Sequence, residues 1–551
     1  MLMSGNDYRE SLRRYRPKVY VNGREVRSVP DEPRLAPGVN AVALTYDYAL
    51  REELAPLMRA GAVNRMLAVP RSSQDLLNKL EAVRLVCQET GCAQRYLAGD
   101  AFAAILSATS QMDGDLGSDY STRFGAYLER AWAEDLAVGI AMTDGKGNRT
   151  ERPHAQANPD AYVRIAGRRQ DGIVLRGAKA IITGAPYMHE LLVMPCRNMT
   201  EADSDYAVCC AVPIDAPGMT LVARPAGRPG EAEAKFSGRY GQSTAVGVFD
   251  DVFVPWERVF LAGEWRYSSA FTYAYATHHR HTCIAARAGF GDLLIGAGAL
   301  MTEANGIDLD RAGNLRDSMV ELIRIVEGFF ACGVAASAYC RTDAAGVATP
   351  DAVFANVGKL LLATQIYDMH RLAHHVSGGL IVTLPGPEED HNPATGGRLS
   401  ELLGGHPDIP YEKRIEVARL IEDLTASNQS GWYSVISLHG GGSPEAMKME
   451  IWRNYPLGNK VDIVERLLER GVLADGIRKI SRNRQPRPLL HRGVRGALTR
   501  ARGADLAHEE SLTARAGLIG PDAAARRERV PAQRAFWFGW HAQCPSTALI
   551  K

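Results

Sequence analysis

Along the chain the spacing of apolar positions changes character twice. From about 40 to 140 it is helical: Leu76, Leu77, Leu80 and Val83 recur on one face, as do Leu128, Trp132, Leu136 and Ile140. Cys87, Cys92 and Tyr96 fall on the helical stretch read over 85–97, with Cys92 and Tyr96 at i,i+4. From about 145 to 265 short β-type runs replace it: Tyr162-Val163-Arg164-Ile165, Ile173-Val174-Leu175, Leu191-Leu192-Val193-Met194, Val208-Cys209-Cys210-Ala211-Val212 and Val252-Phe253-Val254. Asp171-Gly172 is a hairpin signal, so an antiparallel sheet or small barrel is expected. From about 268 to 470 helical spacing returns, and 279–301, 315–339, 352–376 and 411–439 have the length of bundle helices. Beyond 482 the periodicity fades, which predicts a poorly ordered extension.

This order predicts an α+β fold. A helical N-terminal domain (1–145) precedes a central antiparallel β domain (146–267), a C-terminal helical bundle (268–480) and a tail (481–551). It is not the βαβ alternation of a doubly wound protein. Neither GxGxxG after a strand nor GxxxxGK[ST] occurs, which leaves a standard dinucleotide fold and a P-loop unsupported.

Charge adds two points. The chain has 64 Lys+Arg against 63 Asp+Glu, so no basic excess points to nucleic acid. The balance is uneven, because 481–551 holds thirteen basic and five acidic residues and the body is therefore mildly acidic. No apolar run reaches the roughly 18–20 residues of a membrane span. The N-terminal stretch has no apolar core, so no secretory signal is expected. Nine scattered cysteines without a CxxC pair predict free thiols in a reducing cytoplasm and no zinc ribbon.

Four segments carry candidate chemistry. The loop 143–149 presents Lys146, Gly147, Asn148 and Arg149, with Arg152 beyond it. Free N–H groups and cationic side chains there suit a phosphate or the polar edge of a planar ring, though the loop taken alone reads more readily as an ordinary polar turn. Thr183-Gly184 sets a hydroxyl and a bare backbone at the end of a strand, also readable as a plain turn. The run 276–283 is dense in ionisable groups, and His279 shares a helical face with Cys283. His279 is a candidate hydrogen-bond donor, acid/base or ligand. Gly440, Gly441, Gly442 and Ser443 break a helix before Pro444, where Ser443 can cap the next helix and leave N–H groups for an anion.

Taken together these segments resemble the family that unites 4-hydroxyphenylacetate 3-monooxygenase with 4-hydroxybutyryl-CoA dehydratase. The resemblance runs from about 7 to 473. It includes Tyr8-Arg-Glu-Ser-Leu-Arg-Arg-Tyr-Arg-Pro17, Val19-Tyr20-Val21-Asn22-Gly23, 143–152, 178–195, Val254-Pro-Trp-Glu-Arg-Val-Phe260, 289–296 and 439–444. It implies an acyl-CoA-dehydrogenase-like architecture, a homotetramer, and FAD between β domain and bundle. Lys146 to Arg149, Arg152, Thr183, Gly184 and Gly440 to Ser443 are then the flavin-site candidates.

The two branches imply different chemistry. The dehydratase branch holds a [4Fe–4S] cluster on three Cys and one His, and the matching positions are Cys92, Tyr96, His279 and Ala286. Two thiolates are thus missing, with Cys87 and Cys283 as the available replacements. The monooxygenase branch grips a phenol with an Arg, a Tyr and a His. Tyr96 matches the Tyr, while Cys92 and Ile140 stand at the Arg and His positions.

The expectation is therefore the oxygenase component of a two-component monooxygenase. It would take FADH₂ from a separate flavin reductase and hydroxylate a phenol-like aromatic substrate through a C4a-hydroperoxide. His279, Arg280 and Tyr96 are its candidate catalytic residues, with no metal, membrane or nucleic-acid partner. The alternatives are an FAD- and cluster-containing acyl-CoA dehydratase/isomerase, and a flavin-binding or interaction protein without chemistry whose tail contacts a partner.

Overall fold

The computed structural model describes residues 2–231 and 233–468; the basic tail 481–551 lies outside them. The N-terminal part supplies α1 (Gly5–Leu12), α2 (Ala36–Leu50), α3 (Ser73–Thr90), α4 (Tyr96–Leu116) and α5 (Tyr120–Ala133). The Ser72 hydroxyl accepts the Asp75 amide at 3.1 Å and opens α3.

Two helical readings stop earlier than their apolar spacing suggests. The 85–97 segment breaks at Gly91, whose φ of 65° ends α3, so Cys92 and Tyr96 do not share a helix. The series Leu128, Trp132, Leu136, Ile140 crosses the end of α5. Asp135 adopts φ 50° and turns its carboxylate to the fully buried Arg95, and the chain leaves as a strand.

Two sheets form the β layer. Their strands are β1 (Lys18–Val21), β2 (Arg24–Glu25), β3 (Val138–Ala141), β4 (Thr143–Asp144), β5 (Arg164–Arg168), β6 (Gly172–Thr183), β7 (Glu190–Val193), β8 (Val208–Pro213), β9 (Met219–Ala223), β10 (Thr244–Pro255) and β11 (Val259–Ala262). One sheet runs β2-β1-β9-β10-β6-β4 with β5 also on β6, and the other runs β11-β8-β7-β3. Asp171-Gly172 does join antiparallel β5 and β6. Two pairings depart from the antiparallel expectation: β1 with β9 and β3 with β7 are parallel. Both involve strands contributed from before residue 146, which arrive by long connections rather than hairpins.

The bundle consists mainly of α6 (Ser268–Ala304), α7 (Gly313–Ala338), α8 (Ala352–Ser377), α9 (Tyr411–Thr425), α10 (Asn428–His439), α11 (Pro444–Asn454) and α12 (Leu457–Leu467). The stretch 411–439 reads as one helix in sequence and is two. Ser427 caps α10 by accepting the Ser430 amide and donates its own hydroxyl to the Asp423 carbonyl.

The 37-residue α6 is the axis of the site. By length and composition it could cross a bilayer, yet 67% of its most apolar window is buried within the protein. Small residues let neighbours come close. A Cβ on Gly289 would press into the Arg84 carbonyl and the Cys87 side chain, so glycine here sets the distance between α3 and α6.

Candidate functional site

On α6, His279, Cys283 and Arg287 are spaced by four and share one face. His279 Nε2 lies 3.5 Å from Cys283 Sγ, and its Nδ1 lies 3.7 Å from Asp100 Oδ2. Tyr275, one turn earlier, stacks on the imidazole with ring centres 5.3 Å apart. Asp100 enters from α4, where it is fully buried; it accepts from Lys79 Nζ at 2.7 Å and Thr282 Oγ1 at 2.6 Å.

The electrostatics separate these groups. Burial alone would raise the Asp100 carboxyl, but Lys79 and His279 hold it below the ordinary carboxylate range. Burial alone would lower His279, but Cys283 and Asp100 raise it to about 9. Burial opposes a thiolate at Cys283, yet His279, with help from Lys359 and Arg287, brings it down to about 7. The neighbouring histidines behave oppositely: burial pushes His278 down to about 3 and His281 to about 4. Of the three, His279 is the one drawn toward its protonated form, and Cys283 is the thiol drawn toward its anion beside it.

Tyr96 begins α4, and its hydroxyl lies 3.3 Å from Cys92 Sγ even though Gly91 and a short loop interrupt the helix. Burial holds the Tyr96 hydroxyl well above its ordinary value, so it stays neutral. Arg287 sits over the Tyr433 ring at 4.1 Å and donates from Nε to Ser437 Oγ at 2.6 Å. Lys359, from α8, donates to the Ser437 carbonyl at 2.7 Å.

The glycine turn closes the same region. Arg280 Nε donates to the Gly441 carbonyl at 2.8 Å, and its Nη1 donates to Asn356 Oδ1 at 2.7 Å. Gly441 and Gly442 adopt φ of 78° and 107°, and a Cβ on Gly441 would meet Arg280 and His279. Gly440 precedes them as the cap of α10, and Ser443 caps α11 by accepting the Ala446 amide at 3.3 Å. The turn thus stands against His279, and the visible role of Arg280 is to position it.

Thr183 ends β6 opposite Thr244, and Gly184 follows at φ 75°. A Cβ on Gly184 would meet Met188, Tyr187 and Gln94 Oε1, which ties this strand end to the loop before Tyr96. The 146–149 loop is bonded elsewhere. Lys146 N–H donates to Ala161, and Asn148 N–H donates to Gln156 Oε1. Lys146 at φ 69° and Gly147 at φ 45° make a tight turn, and Arg149 is exposed. Arg152 is engaged by Asp203 at 2.8 Å and by the Asn198 carbonyl. The loop's bonds and those of the His279 group do not share a partner; the two regions meet through an apolar cluster that includes Tyr275, Tyr162, Met142 and Ala161.

A [4Fe–4S] cluster does not fit this donor set. Tyr96 and Ala286 stand at two of the four implied ligand positions, and Ala286 has no donor atom and is fully buried. Cys87 and Cys283 do not complete a set with Cys92 and His279: among the described residues no group of three or more His, Cys, Asp or Glu is arranged to hold a metal.

Comparison with known proteins gives the family. The profile described as 4-hydroxyphenylacetate 3-hydroxylase N terminal matches residues 4–261, and its C-terminal counterpart matches 268–469. The chain belongs to this family. Among its relatives, 4-hydroxybutyryl-CoA dehydratase/vinylacetyl-CoA-Delta-isomerase of Clostridium aminobutyricum is 35% identical, over 84% of this chain and 99% of that protein. The 4-hydroxyphenylacetate 3-monooxygenase oxygenase component of Thermus thermophilus is 26% identical, over 85% and 97%. Among solved structures, the 4-hydroxybutyryl-CoA dehydratase of N. maritimus superposes with TM-score 0.82 at 34% identity, covering 86% of this chain and 97% of that one. An oxygenase component of 4-hydroxyphenylacetate 3-monooxygenase complexed with FAD superposes with TM-score 0.75 at 22% identity, covering 85% and 98%, and supports the fold. The fold is thus the acyl-CoA-dehydrogenase-like one expected for this 4-hydroxyphenylacetate 3-hydroxylase family member.

Asp100, Lys79, Arg287, Lys359 and Tyr433 were not legible as site residues. Arg287 alone carried a signal, because it continues the four-residue spacing from His279 and Cys283.

Proposed function

We propose that this protein is the oxygenase component of a two-component flavin monooxygenase acting on a phenol-like aromatic substrate. The observation that carries the reading is the donor set around His279. Tyr96 and Ala286 occupy positions where the dehydratase branch requires thiolates, while an imidazole, a thiol and a phenol hydroxyl converge on one buried region.

The residues present fit FAD. The turn Gly440–Ser443 offers bare backbone beside Arg280 and His279, with two glycines at positive φ, and Thr183-Gly184 offers a second bare edge beside Gln94. Lys146, Gly147, Asn148 and Arg149, with Arg152, are the remaining candidates on the β side. When bound and reduced by a separate reductase, FAD supplies the activation of O₂. The chain's own residues prepare the substrate. Cys283 Sγ accepts the phenol proton, so that an S–H bond forms as the O–H bond breaks, and the resulting phenolate is the better carbon nucleophile. The His279 imidazolium stabilises the oxyanion from one side, and the neutral Tyr96 hydroxyl donates from the other. Buried walls exclude water from the reacting atoms. The protein is read as a cytoplasmic homotetramer, in keeping with exposed apolar side chains such as Trp452, Met449 and Val435 on the bundle surface.

The test is O₂-dependent hydroxylation with chemically reduced FAD across a panel of phenols, with ¹⁸O₂ label entering the product. Release of peroxide alone with every phenol overturns the reading. A second reading, an FAD-dependent acyl-CoA dehydratase or isomerase, is favoured by the 35% identity to such an enzyme over nearly its whole length. Iron and sulfide in anaerobically purified protein would decide for it.

A further inference from the structure

Three buried cations in this protein have carboxylate partners, and two others, Arg65 and Arg280, spend their hydrogen bonds on backbone carbonyls or an amide. Lys79 pairs with Asp100, Arg95 with Asp135 and Lys179 with Asp144, all in the interior. Arg287 and Lys359 do not. Among the described residues no carboxylate forms an ion pair with either; the groups that act most strongly on Arg287 are Tyr433, Cys92, Tyr96 and Cys283, and those on Lys359 are Cys283, Arg287 and Arg280. Each cation has a neutral oxygen of Ser437 as its anchor. Arg287 Nη1 is buried and has no hydrogen-bond partner. A guanidinium nitrogen left bare in the interior keeps its full desolvation cost unless something else bonds it.

The surroundings show where that something would sit. Along α6, Ile284, Ala285, Ala286 and Ala288 are 0% exposed. Arg287 keeps 4%, Cys283 5%, Cys92 6% and Tyr96 2%. These four side chains are thus not completely sealed, in contrast to the apolar wall of Ile284, Ala285, Ala286 and Ala288 beside them.

We propose that Arg287, backed by Lys359, is an anion-binding site for a carboxylate group, seated beside Tyr96 and Cys283 at the proposed reaction centre. A guanidinium presents two parallel N–H bonds that match the two oxygens of a carboxylate, which a lone ammonium cannot do. Nε is anchored on Ser437, which leaves Nη1 as the buried nitrogen with a hydrogen bond to give to a carboxylate oxygen. Lys359 adds positive charge behind it, and Tyr433 fixes the plane of the guanidinium. The carboxylate belongs either to the organic substrate or to a free small anion; both make the same contact. The site deepens the proposed reading, but its test is binding and does not depend on turnover.

The experiment titrates FAD-loaded full-length protein with benzoate, benzamide and acetate, followed by the flavin difference spectrum and by calorimetry. Wild type is expected to bind benzoate about 10- to 100-fold more tightly than benzamide, the neutral match in size, the range that charge-assisted hydrogen bonds supply. Arg287→Gln abolishes that preference, and Arg287→Lys retains only part of it because the charge remains and the fork is lost. If acetate binds as tightly as benzoate, the occupant is a free small anion; if benzoate is at least tenfold tighter, it is substrate-borne. Flavin stoichiometry and thermal unfolding check that the variants fold, and should Arg287→Gln fail to fold, wild type and Arg287→Lys still decide. Equal affinity for benzoate and benzamide in wild type, an unchanged preference in either variant, or no binding of any acid overturns the site. Hydroxylation of neutral phenols in that event would leave the oxygenase reading standing, and carboxylate selectivity without hydroxylation would do the reverse.

Discussion

Replacing His279 by Gln tests whether the imidazole and thiol on α6 act as one charged pair. In the intact protein Cys283 ionises near 7 and His279 near 9, against ordinary values of 9.0 and 6.5. His279 lies above its ordinary value, so its share of stability is complete below 6.5 and is lost as pH rises through about 9. Cys283 lies below its ordinary value, so its share is complete above 9.0 and is lost as pH falls through about 7. Imidazolium and thiolate therefore coexist between about 7 and 9. Glutamine keeps a hydrogen-bonding side chain but cannot carry the charge that overcomes burial at Cys283. The thiol midpoint should then rise by about two pH units or more, to the ordinary range of a free thiol or above it.

The assay is the pH dependence of iodoacetamide alkylation at Cys283, followed by mass spectrometry of its peptide, with Cys283→Ser as the blank. The midpoint is a better measure than the rate at one pH. A thiolate of higher pKa is intrinsically more nucleophilic, and with a Brønsted slope of about 0.4–0.5 a two-unit rise regains nearly tenfold of the rate lost through lower ionisation. A wild-type midpoint of about 8.5 or higher, or one that His279→Gln does not move, would refute the pair. Neither result could be attributed to access, because the comparison rests on the shape of each curve and not on its height.

Two further predictions follow from the same neighbourhood. Lys79→Met leaves Asp100 with only His279 as a counter-charge and should cost about 3–5 kcal/mol in urea unfolding; adding Asp100→Asn should recover part of it, and no recovery would mean that the cost lies in packing. Gly441→Ala places a Cβ against Arg280 and His279 at φ 78° and should weaken FAD binding at least tenfold in a fluorescence titration, by strain in the turn; unchanged binding would remove the turn from the flavin site.

The order of helical, β and helical regions was readable because each element's period of apolar residues is a local property. Where the reading failed, a tertiary contact had overruled the period. Asp135 leaves the series that ends at Ile140 because the buried Arg95 needs its carboxylate. Ser427 divides 411–439 by turning its own side chain into a cap. The parallel pairings of β1 and β3 depend on strands far apart in sequence, which no local pattern encodes.

The site divides along the same line. His279, Cys283 and the glycine turn stand out because unusual residues cluster within a few positions. Asp100 and Lys79 look ordinary in sequence, one in a small-residue helix and one on an amphipathic face, and they acquire meaning when α3, α4 and α6 bring them together. Arg280 shows the converse. Its place in the run 276–283 suggested chemistry, yet its guanidinium reaches across to the Gly441 carbonyl and Asn356. Seven residues on, Arg287 sat in an unremarked alanine-rich stretch, where the structure leaves one of its nitrogens buried and unbonded. A charged side chain's role here is set by which partner the fold supplies, and Arg287 is conspicuous because, with Lys359 anchored on the same Ser437 and no carboxylate paired to either among the described residues, its Nη1 is left without a bond.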